Sequence, residues 1–211
     1  IDFRYSDALT AADNAQTFET VVKTVSGRNG LWADFTPKPL KDKAGNGFHI
    51  NISANSEKGE VSLSHIIAGV LEFIPEMTAF LNPSEASYER FGQSKAPAYI
   101  SWSAENRSQL VRVPAAVYEQ KRVELRSPDP TANPYLAFAL LIYAGLYGIQ
   151  NNLTPPPASD INLFKADEET LSQFKKLPAS LNEAITVMKE STFIHKHLPE
   201  QIIELYSRKL I

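Results

Sequence analysis

Apolar residues recur at helical spacing in several parts of this chain. Helices are predicted at residues 11–28, 61–81 and 133–149, and in the region after residue 157. Pro75 lies inside the second helix and is expected to kink or break it, because proline cannot donate a backbone hydrogen bond. The third helix has a clear start, since Asn133 is a good cap and Pro134 suits the first helical position.

Alternating apolar and polar residues predict short strands. These strands are expected at residues 1–5, 31–36, 48–53, 98–103, 110–113 and 122–126. Strands and helices come in blocks rather than in alternation. This order favours an α+β fold with an antiparallel sheet and helices packed on one side. Because Ile1 already belongs to a strand pattern, we expect the chain to begin inside a folded unit.

The composition is that of an ordinary globular protein. The chain has 211 residues, a formal net charge of -3 and no cysteine, which excludes disulfides, thiolate metal sites and a cysteine nucleophile. The mild acidity argues against nucleic acid as a partner. The longest apolar run, residues 135–149, is shorter than the roughly 20 residues of a membrane span, and the start lacks a signal peptide. We therefore expect a cytoplasmic protein with no membrane partner.

One predicted strand carries its polar residues on a single face. His49, Asn51 and Ser53 alternate there with apolar residues, which predicts that they point away from the core. A half-solvated sheet edge is the ordinary interpretation of this pattern. Gly45 and Gly47 come directly before it and would let the backbone approach a ligand closely. A binding site is therefore the competing interpretation.

A second strand alternates charge instead of polarity. Arg122, Glu124 and Arg126 share one face, and a solvated row of weak surface ion pairs is the simplest interpretation. Three more arginines precede this strand: Arg90, Arg107 and Arg112. Arginine binds phosphate and carboxylate groups bidentately. The cluster, with a histidine and a glutamate, suits a polyanionic small ligand such as a nucleotide better than RNA, for which an aromatic-glycine motif is missing.

Short motifs follow one another along most of the chain: Thr36-Pro37-Lys38-Pro39, Gly45-Asn46-Gly47-Phe48-His49, Asn82-Pro83, Ser87-Tyr88-Glu89-Arg90, Ala96-Pro97-Ala98-Tyr99-Ile100-Ser101-Trp102, Asn106-Arg107-Ser108, Arg112-Val113-Pro114, Arg122-Val123-Glu124-Leu125-Arg126-Ser127-Pro128-Asp129-Pro130 and Asn133-Pro134-Tyr135. In this order and spacing they resemble the C-terminal part of the catalytic domain of glutamine synthetase. That family makes an amide from glutamate, ATP and ammonium with magnesium or manganese ions, in a homo-oligomeric ring.

The resemblance implies a domain organisation and an activity. Residues 1–211 would be the C-terminal portion of the catalytic domain, without the N-terminal β-grasp domain and the start of the catalytic domain. The activity implied is that of an ATP-dependent glutamate–ammonia ligase, which forms a C–N bond through γ-glutamyl phosphate. Further metal-binding glutamates of the family fall before Ile1, so residues 1–211 alone are expected to be inactive.

The resemblance also implies three groups of site residues. The metal ligands are expected to be His49 and Glu124. The residues expected to contact ATP are Ser53, Arg107, Arg112 and Arg122, and the catalytic ones among them are Arg107 and Arg122. The residues expected to contact glutamate are Gly45, Arg90 and Arg126.

Three positions depart from the family pattern. Lys95 stands in the flap where the family usually has a glutamate that helps take the ammonium proton, and Ala44 and Asn51 replace the usual asparagine and a common histidine. A lysine facing the amine site would repel ammonium. Two alternatives therefore stay open: a γ-glutamyl ligase that uses an organic amine, and a catalytically silent homologue that acts in assembly or regulation. A guanidino kinase would share fold similarity, but no motif matches it.

Overall fold

The computed structural model describes residues 1–56, 59–93, 95–115 and 121–208. Its elements are, in order, α1 (Ala8–Arg28), β1 (Ile50–Ile52), β2 (Asn55–Ser56), β3 (Gly59–Glu60), α2 (Leu63–Leu81), α3 (Glu85–Tyr88), β4 (Trp102–Ala104), β5 (Val111–Val113), β6 (Val123–Leu125), α4 (Pro134–Gln150), α5 (Glu168–Leu171), α6 (Leu181–Glu190), α7 (Thr192–His197) and α8 (Glu200–Ser207).

Four of the strands form a mixed sheet in the order β1-β6-β5-β4. The α+β class is confirmed, with β1 and β5 antiparallel to β6. The prediction of an antiparallel sheet needs one correction, because β4 and β5 are parallel. Residues 105–110 carry the chain back to the end of the sheet at which β4 starts. The strand predicted at residues 98–103 is also displaced, since β4 begins only at Trp102.

The strands predicted at residues 1–5 and 31–36 are wrong. Neither segment has strand structure. In the second, one carboxylate oxygen of Asp34 accepts hydrogen bonds from the backbone nitrogen and the hydroxyl of Thr36, at 2.8 and 2.6 Å. In this turn the backbone N–H of Thr36 is bound by the Asp34 side chain, so it is not available to a neighbouring strand. Phe3 and Phe35 instead pack edge-on against Phe18 of α1.

Helices α2 and α4 form the centre of the apolar core. The predicted helices there are confirmed, and α2 continues through Pro75 without a break. The predicted cap of α4 is also present, since the side-chain oxygen of Asn133 accepts hydrogen bonds from the backbone nitrogens of Tyr135 and Leu136. Ile50, Val111, Val123 and Leu125 of the sheet join the same core. The opposite face of the sheet is thereby left for polar residues.

The two core helices approach each other backbone to backbone. A Cβ atom on Gly148 would overlap the carbonyl oxygen of His65 and lie 2.9 Å from the backbone nitrogen of Gly69. A Cβ on Gly69 would in turn overlap the carbonyl oxygen of Ala144. Glycine is required at this crossing because no side chain fits between the helices.

Helix α4 is less buried than its sequence predicts. Its glycine side faces α2, but Ile142, Tyr143 and Leu146 on the other side are each about 40% exposed. Among the described helices, α2 is the one long and apolar enough to cross a membrane, and 61% of that stretch is buried inside the protein. A buried core helix passes the same test, so this length and composition are weak evidence for a membrane span.

Candidate active site

The strand register brings the predicted site residues onto one face of the sheet. Glu124 on β6 lies opposite Asn51 on β1 and opposite Arg112 on β5. Arg112 in turn lies beside Ser103 on β4. Side chains of directly opposed residues point to the same face. The polar row predicted from β1 and the charged row predicted from β6 are therefore one surface, on the side of the sheet opposite the core.

Glu124 lies at the centre of this surface and is only 6% exposed. One carboxylate oxygen, Oε2, accepts a hydrogen bond from Nε of Arg112 at 2.5 Å, and Nη1 of Arg126 lies 3.2 Å from both carboxylate oxygens. Arg126 itself is 2% exposed. Glu124 and Arg126 thus belong to a buried network, so the interpretation of the charged row as a solvated strand is wrong.

The arginines keep Glu124 ionised in spite of its burial. Burial on its own raises the pKa of Glu124, but hydrogen bonds from His49 and Arg112 and the charges of Arg126 and Arg112 lower it more, to about 2. Glu124 is therefore a carboxylate at neutral pH. A fixed negative charge inside an arginine cluster is a suitable position for a cation at a polyanionic ligand.

His49 and Glu124 have the spacing of two ligands of one metal ion. Nδ1 of His49 lies 3.2 Å from Oε1 of Glu124. In octahedral coordination with bonds of about 2.1 Å, neighbouring ligand atoms lie about 3 Å apart. Imidazole and carboxylate together suit magnesium or manganese. Among the described residues, no group of three or more acidic or histidine side chains could hold an ion, so this part of the chain offers two ligands.

Two further arginines border the Glu124 cluster. Nε of Arg122 donates a hydrogen bond to the side-chain oxygen of Asn51 at 3.0 Å, which turns its guanidinium toward β1. Arg107 is exposed, and its positive charge acts on Arg126. Burial lowers the pKa of Arg126, Glu124 opposes this change, and the positive charges of Arg112 and Arg107 add to the lowering. Arg107, Arg112 and Arg126 therefore act on one electrostatic region, and Arg122 lies at its border beside β1.

The glycine loop packs directly on Arg90. A Cβ on Gly45 would lie 2.8 Å from Cγ of Arg90. A Cβ on Gly47 would lie 3.3 Å from Nη2 of Arg90 and 3.1 Å from Nε2 of His49. The loop therefore places Arg90 next to the predicted metal ligand. This contact explains why small residues are needed at both positions.

Arg90 is held by the buried carboxylate of Asp129, a residue of the last strand motif to which the sequence assigned no role. Nη1 of Arg90 donates to the carbonyl oxygen of Ser127 at 3.1 Å and lies 3.5 Å from Oδ2 of Asp129. The same Asp129 oxygen accepts a hydrogen bond from Asn82 at 2.8 Å. Asp129 and Asn82 are fully buried and Arg90 nearly so. Burial lowers the pKa of Arg90, and the charge of Asp129 opposes this change.

Replacing Asp129 by asparagine is expected to destabilise the full-length protein by about 3 kcal/mol. The exchange keeps the shape of the side chain but leaves the buried charge of Arg90 without its partner, which is the costly way to break an ion pair. Denaturant-induced unfolding measures the loss. Glu204→Gln is the control, because Glu204 pairs with Arg208 at 3.6 Å on the surface and its loss should leave stability unchanged. Equal stability of the two variants would contradict the buried pair.

Ser53 and Lys95 are predicted site residues that do not contact this cluster. Ser53 lies directly after β1 and is exposed. Lys95 is exposed and has a φ of 73°, an uncommon conformation for a residue other than glycine. In the described parts of the chain, no hydrogen bond or ion pair joins either residue to Glu124. The segment next to Lys95 is tied to the glycine loop through Lys38, whose Nζ donates to Gln93 at 2.9 Å and to the carbonyl oxygen of Lys43 at 2.6 Å.

Comparison with known proteins matches almost the whole chain to one family. The family model described as "Glutamine synthetase, catalytic domain" matches residues 1–209. This chain belongs to the glutamine synthetase family. Glutamine synthetase from Clostridium saccharobutylicum is 42% identical over 221 residues, an alignment that covers 98% of this chain and 50% of that protein. Glutamine synthetase from Methanosarcina mazei is also 42% identical and is covered to 49%.

Solved structures agree with the glutamine synthetase fold. A complex of GmaS with ADP superimposes with a TM-score of 0.85 at 30% identity, covering 98% of this chain and 51% of that one. GmaS without ligand gives a TM-score of 0.83, also at 30% identity, with 97% and 49% covered. The chain therefore spans about half the length of the glutamine synthetase family members that it matches.

Proposed function

We propose that this chain is the C-terminal portion of the catalytic domain of an ATP-dependent glutamate–ammonia ligase. Membership of the family supports this proposal, and the relatives' greater length supports placing the complete activity in a longer chain. The observation that carries it is Glu124, an ionised carboxylate 3.2 Å from His49 and enclosed by arginines. A site for ATP phosphates needs this combination of a cation ligand and fixed positive charges.

Each group of residues has a proposed task in the reaction. His49 and Glu124 hold a magnesium or manganese ion, which supplies charge neutralisation at the ATP phosphates. Arg107, Arg112 and Arg122 offer further positive charge to the phosphoryl group as it moves. The guanidiniums of Arg112 and Arg122 are held in advance by Glu124 and Asn51, so these two need little reorganisation during transfer.

The glutamate side of the proposed site lies next to the glycine loop. Arg90 and Arg126 bind carboxylate groups of glutamate, and the backbone at Gly45 completes this pocket. Phosphoryl transfer from ATP to the γ-carboxylate breaks the bond between the γ-phosphorus and its bridging oxygen and releases ADP. The amine then attacks the acyl carbon of γ-glutamyl phosphate, inorganic phosphate leaves, and the nitrogen gives up a proton. Ser53 is proposed to contact the nucleotide beside β1.

A γ-glutamyl ligase for an organic amine is the second candidate function. Lys95 favours it, because a lysine in the flap would disfavour ammonium and removes the glutamate that usually takes the ammonium proton. The likeness to GmaS, which binds ADP in one of its structures, is compatible with either amine. A silent homologue is disfavoured by the buried ion pairs of Glu124 and Arg126, since apolar residues in their place would often be as stable and a ligand gives a reason to keep the charges.

Phosphate release by the full-length protein distinguishes these functions. The protein is incubated with ATP, glutamate and magnesium or manganese, with ammonium in one series and a panel of organic amines in another. Ammonium-dependent release of about one phosphate per amide formed is the expected result. Release with organic amines alone supports the second candidate. No amine-dependent release by a properly assembled oligomer would refute both ligase assignments.

A further inference from the structure

Arg107 lies in a turn that is held by its neighbour Asn106. The side-chain oxygen of Asn106 accepts hydrogen bonds from the backbone nitrogen and the hydroxyl of Ser108, at 2.9 and 2.8 Å. Its side-chain nitrogen donates to the carbonyl oxygens of Asp160 and Ile161, at 2.8 and 3.1 Å. The amide group thus uses both of its donors and both lone pairs of its oxygen. Asn106 closes the turn and at the same time attaches it to a distant segment.

That distant segment, residues 156–163, lies beside β4, the edge strand of the sheet, and we call it the strap. The strap is hydrogen-bonded to residues that come before Arg107 in the sequence and to residues that come after it. The additional hydrogen bonds join Trp102 Nε1 to the Pro156 carbonyl at 2.6 Å, Ser159 N to the Trp102 carbonyl at 2.9 Å, Ser103 Oγ to Asp160 Oδ1 at 2.7 Å, Gln109 Nε2 to the Ile161 carbonyl at 2.8 Å, and Leu163 N to Ser108 Oγ at 3.0 Å. The backbone around Arg107 therefore has little freedom to move.

The turn also has a backbone conformation that needs support. Glu105, the residue before Asn106, has a φ of 75°, which is uncommon for residues other than glycine and persists where surrounding contacts enforce it. The side chain of Arg107 is exposed, yet its charge reaches Arg126. The guanidinium of a long arginine side chain reaches a defined position more readily when the Cα of that residue is fixed. The hydrogen bonds of Asn106 supply that fixed starting point.

We propose that Asn106 is a positioning residue, which acts by holding Arg107 against the strap so that its guanidinium meets the ATP phosphates. This inference rests on the proposed function, in which Arg107 binds phosphate. It adds a role for Asn106 and for the backbone of residues 160–161. Displacement of a catalytic group by about 1 Å can cost a factor of about 100 in rate. Asn106→Ala is therefore expected to lower kcat/KM for ATP between about 10- and 100-fold.

A double-mutant cycle in the full-length protein tests whether Asn106 acts through Arg107. The variants are Asn106→Ala, Arg107→Ala and the two together, and the measurements are kcat, KM for ATP and unfolding midpoint. We expect each single variant to lose activity and the double variant to be no worse than Arg107→Ala. A merely structural role would instead reduce activity by the same factor in both backgrounds, and this outcome would overturn the inference.

Two further variants keep the result interpretable. Asn106→Asp keeps the oxygen that Ser108 uses but loses the donors to the strap, so it should show most of the same loss even if Asn106→Ala folds poorly. Asn151→Ala removes a side-chain hydrogen bond to a backbone carbonyl at the end of α4 and should leave kcat/KM for ATP unchanged. Full activity of Asn106→Asp or of Arg107→Ala would refute the inference. The proposed function is tested separately, by amine-dependent phosphate release from the unmodified protein.

Discussion

Replacing Glu124 by alanine in the full-length protein is expected to lower metal-dependent phosphate release by a factor of about 1,000, the upper range for removing one electrostatic stabiliser. The variant loses a proposed metal ligand. It also releases Arg112 and Arg126, which Glu124 now holds at 2.5 and 3.2 Å. Both consequences act on the same step, because the released arginines no longer present their charges in a fixed arrangement.

Manganese binding by folded variants tests the proposed metal ligand directly. Equilibrium titration should show weaker manganese binding by Glu124→Ala and also by Glu124→Gln, whose side chain keeps the shape but not the charge. The control is Glu190→Ala, at an exposed carboxylate at the end of α6, which should bind manganese and turn over normally. Turnover of a folded Glu124→Ala variant within a few-fold of the unmodified protein would refute the role assigned to this carboxylate.

Replacing Gly148 by alanine is expected to destabilise the protein by about 3 kcal/mol or more. The added Cβ would overlap the backbone of α2 at His65, and overpacking of a closely packed core costs about 1–3 kcal/mol even where side chains can adjust. Here the obstacle is backbone, so the two helices must separate. The gain of about 1 kcal/mol in helix propensity when alanine replaces glycine offsets only part of this cost.

Gly145→Ala is the matched control for this substitution. It lies on the same helix, and its Cβ would be 3.4 Å from Cγ2 of Ile66, an ordinary contact with a side chain. The helix propensity gain is then the main effect, so this variant should be neutral or more stable by up to about 1 kcal/mol. Denaturant-induced unfolding compares the two. If Gly148→Ala were as stable as Gly145→Ala, the close crossing of α2 and α4 would be wrong.

The helices and the polar face of the sheet could be predicted from local patterns. The period of apolar residues locates α2 and α4, and Asn133 with Pro134 marks where α4 begins. Alternation along β1 and β6 assigned His49 and Glu124 to the polar side of their strands. Their meeting at 3.2 Å required the register of β1 against β6, a long-range pairing that alternation alone does not specify.

Other features of the molecule have no local signal. Residues 1–5 alternate like a strand, but a strand needs a neighbour to accept its hydrogen bonds, and alternation does not say whether one is present. The contacts of Asp129 and of the strap have no local signal for a similar reason, since their partners are far away in the sequence: Asp129 binds Asn82 and Arg90, and residues 156–163 bind the turn of Arg107. The proline run at residues 155–157 indicates only that a helix cannot continue through it.

Asp129 connects the polar side of the sheet to the helical core through its hydrogen bonds and its ion pair. The backbone nitrogen of Asp129 donates a hydrogen bond to the carbonyl oxygen of Leu81, the last residue of α2, at 3.3 Å. Its carboxylate accepts a hydrogen bond from the backbone nitrogen of Thr131, shortly before α4 begins, and pairs with Arg90. A carboxylate ligand that binds Arg90 is therefore connected, through Asp129, to the end of α2 and to the segment that leads into α4. Occupancy of the proposed glutamate site should then increase the resistance of α2 and α4 to heat or protease.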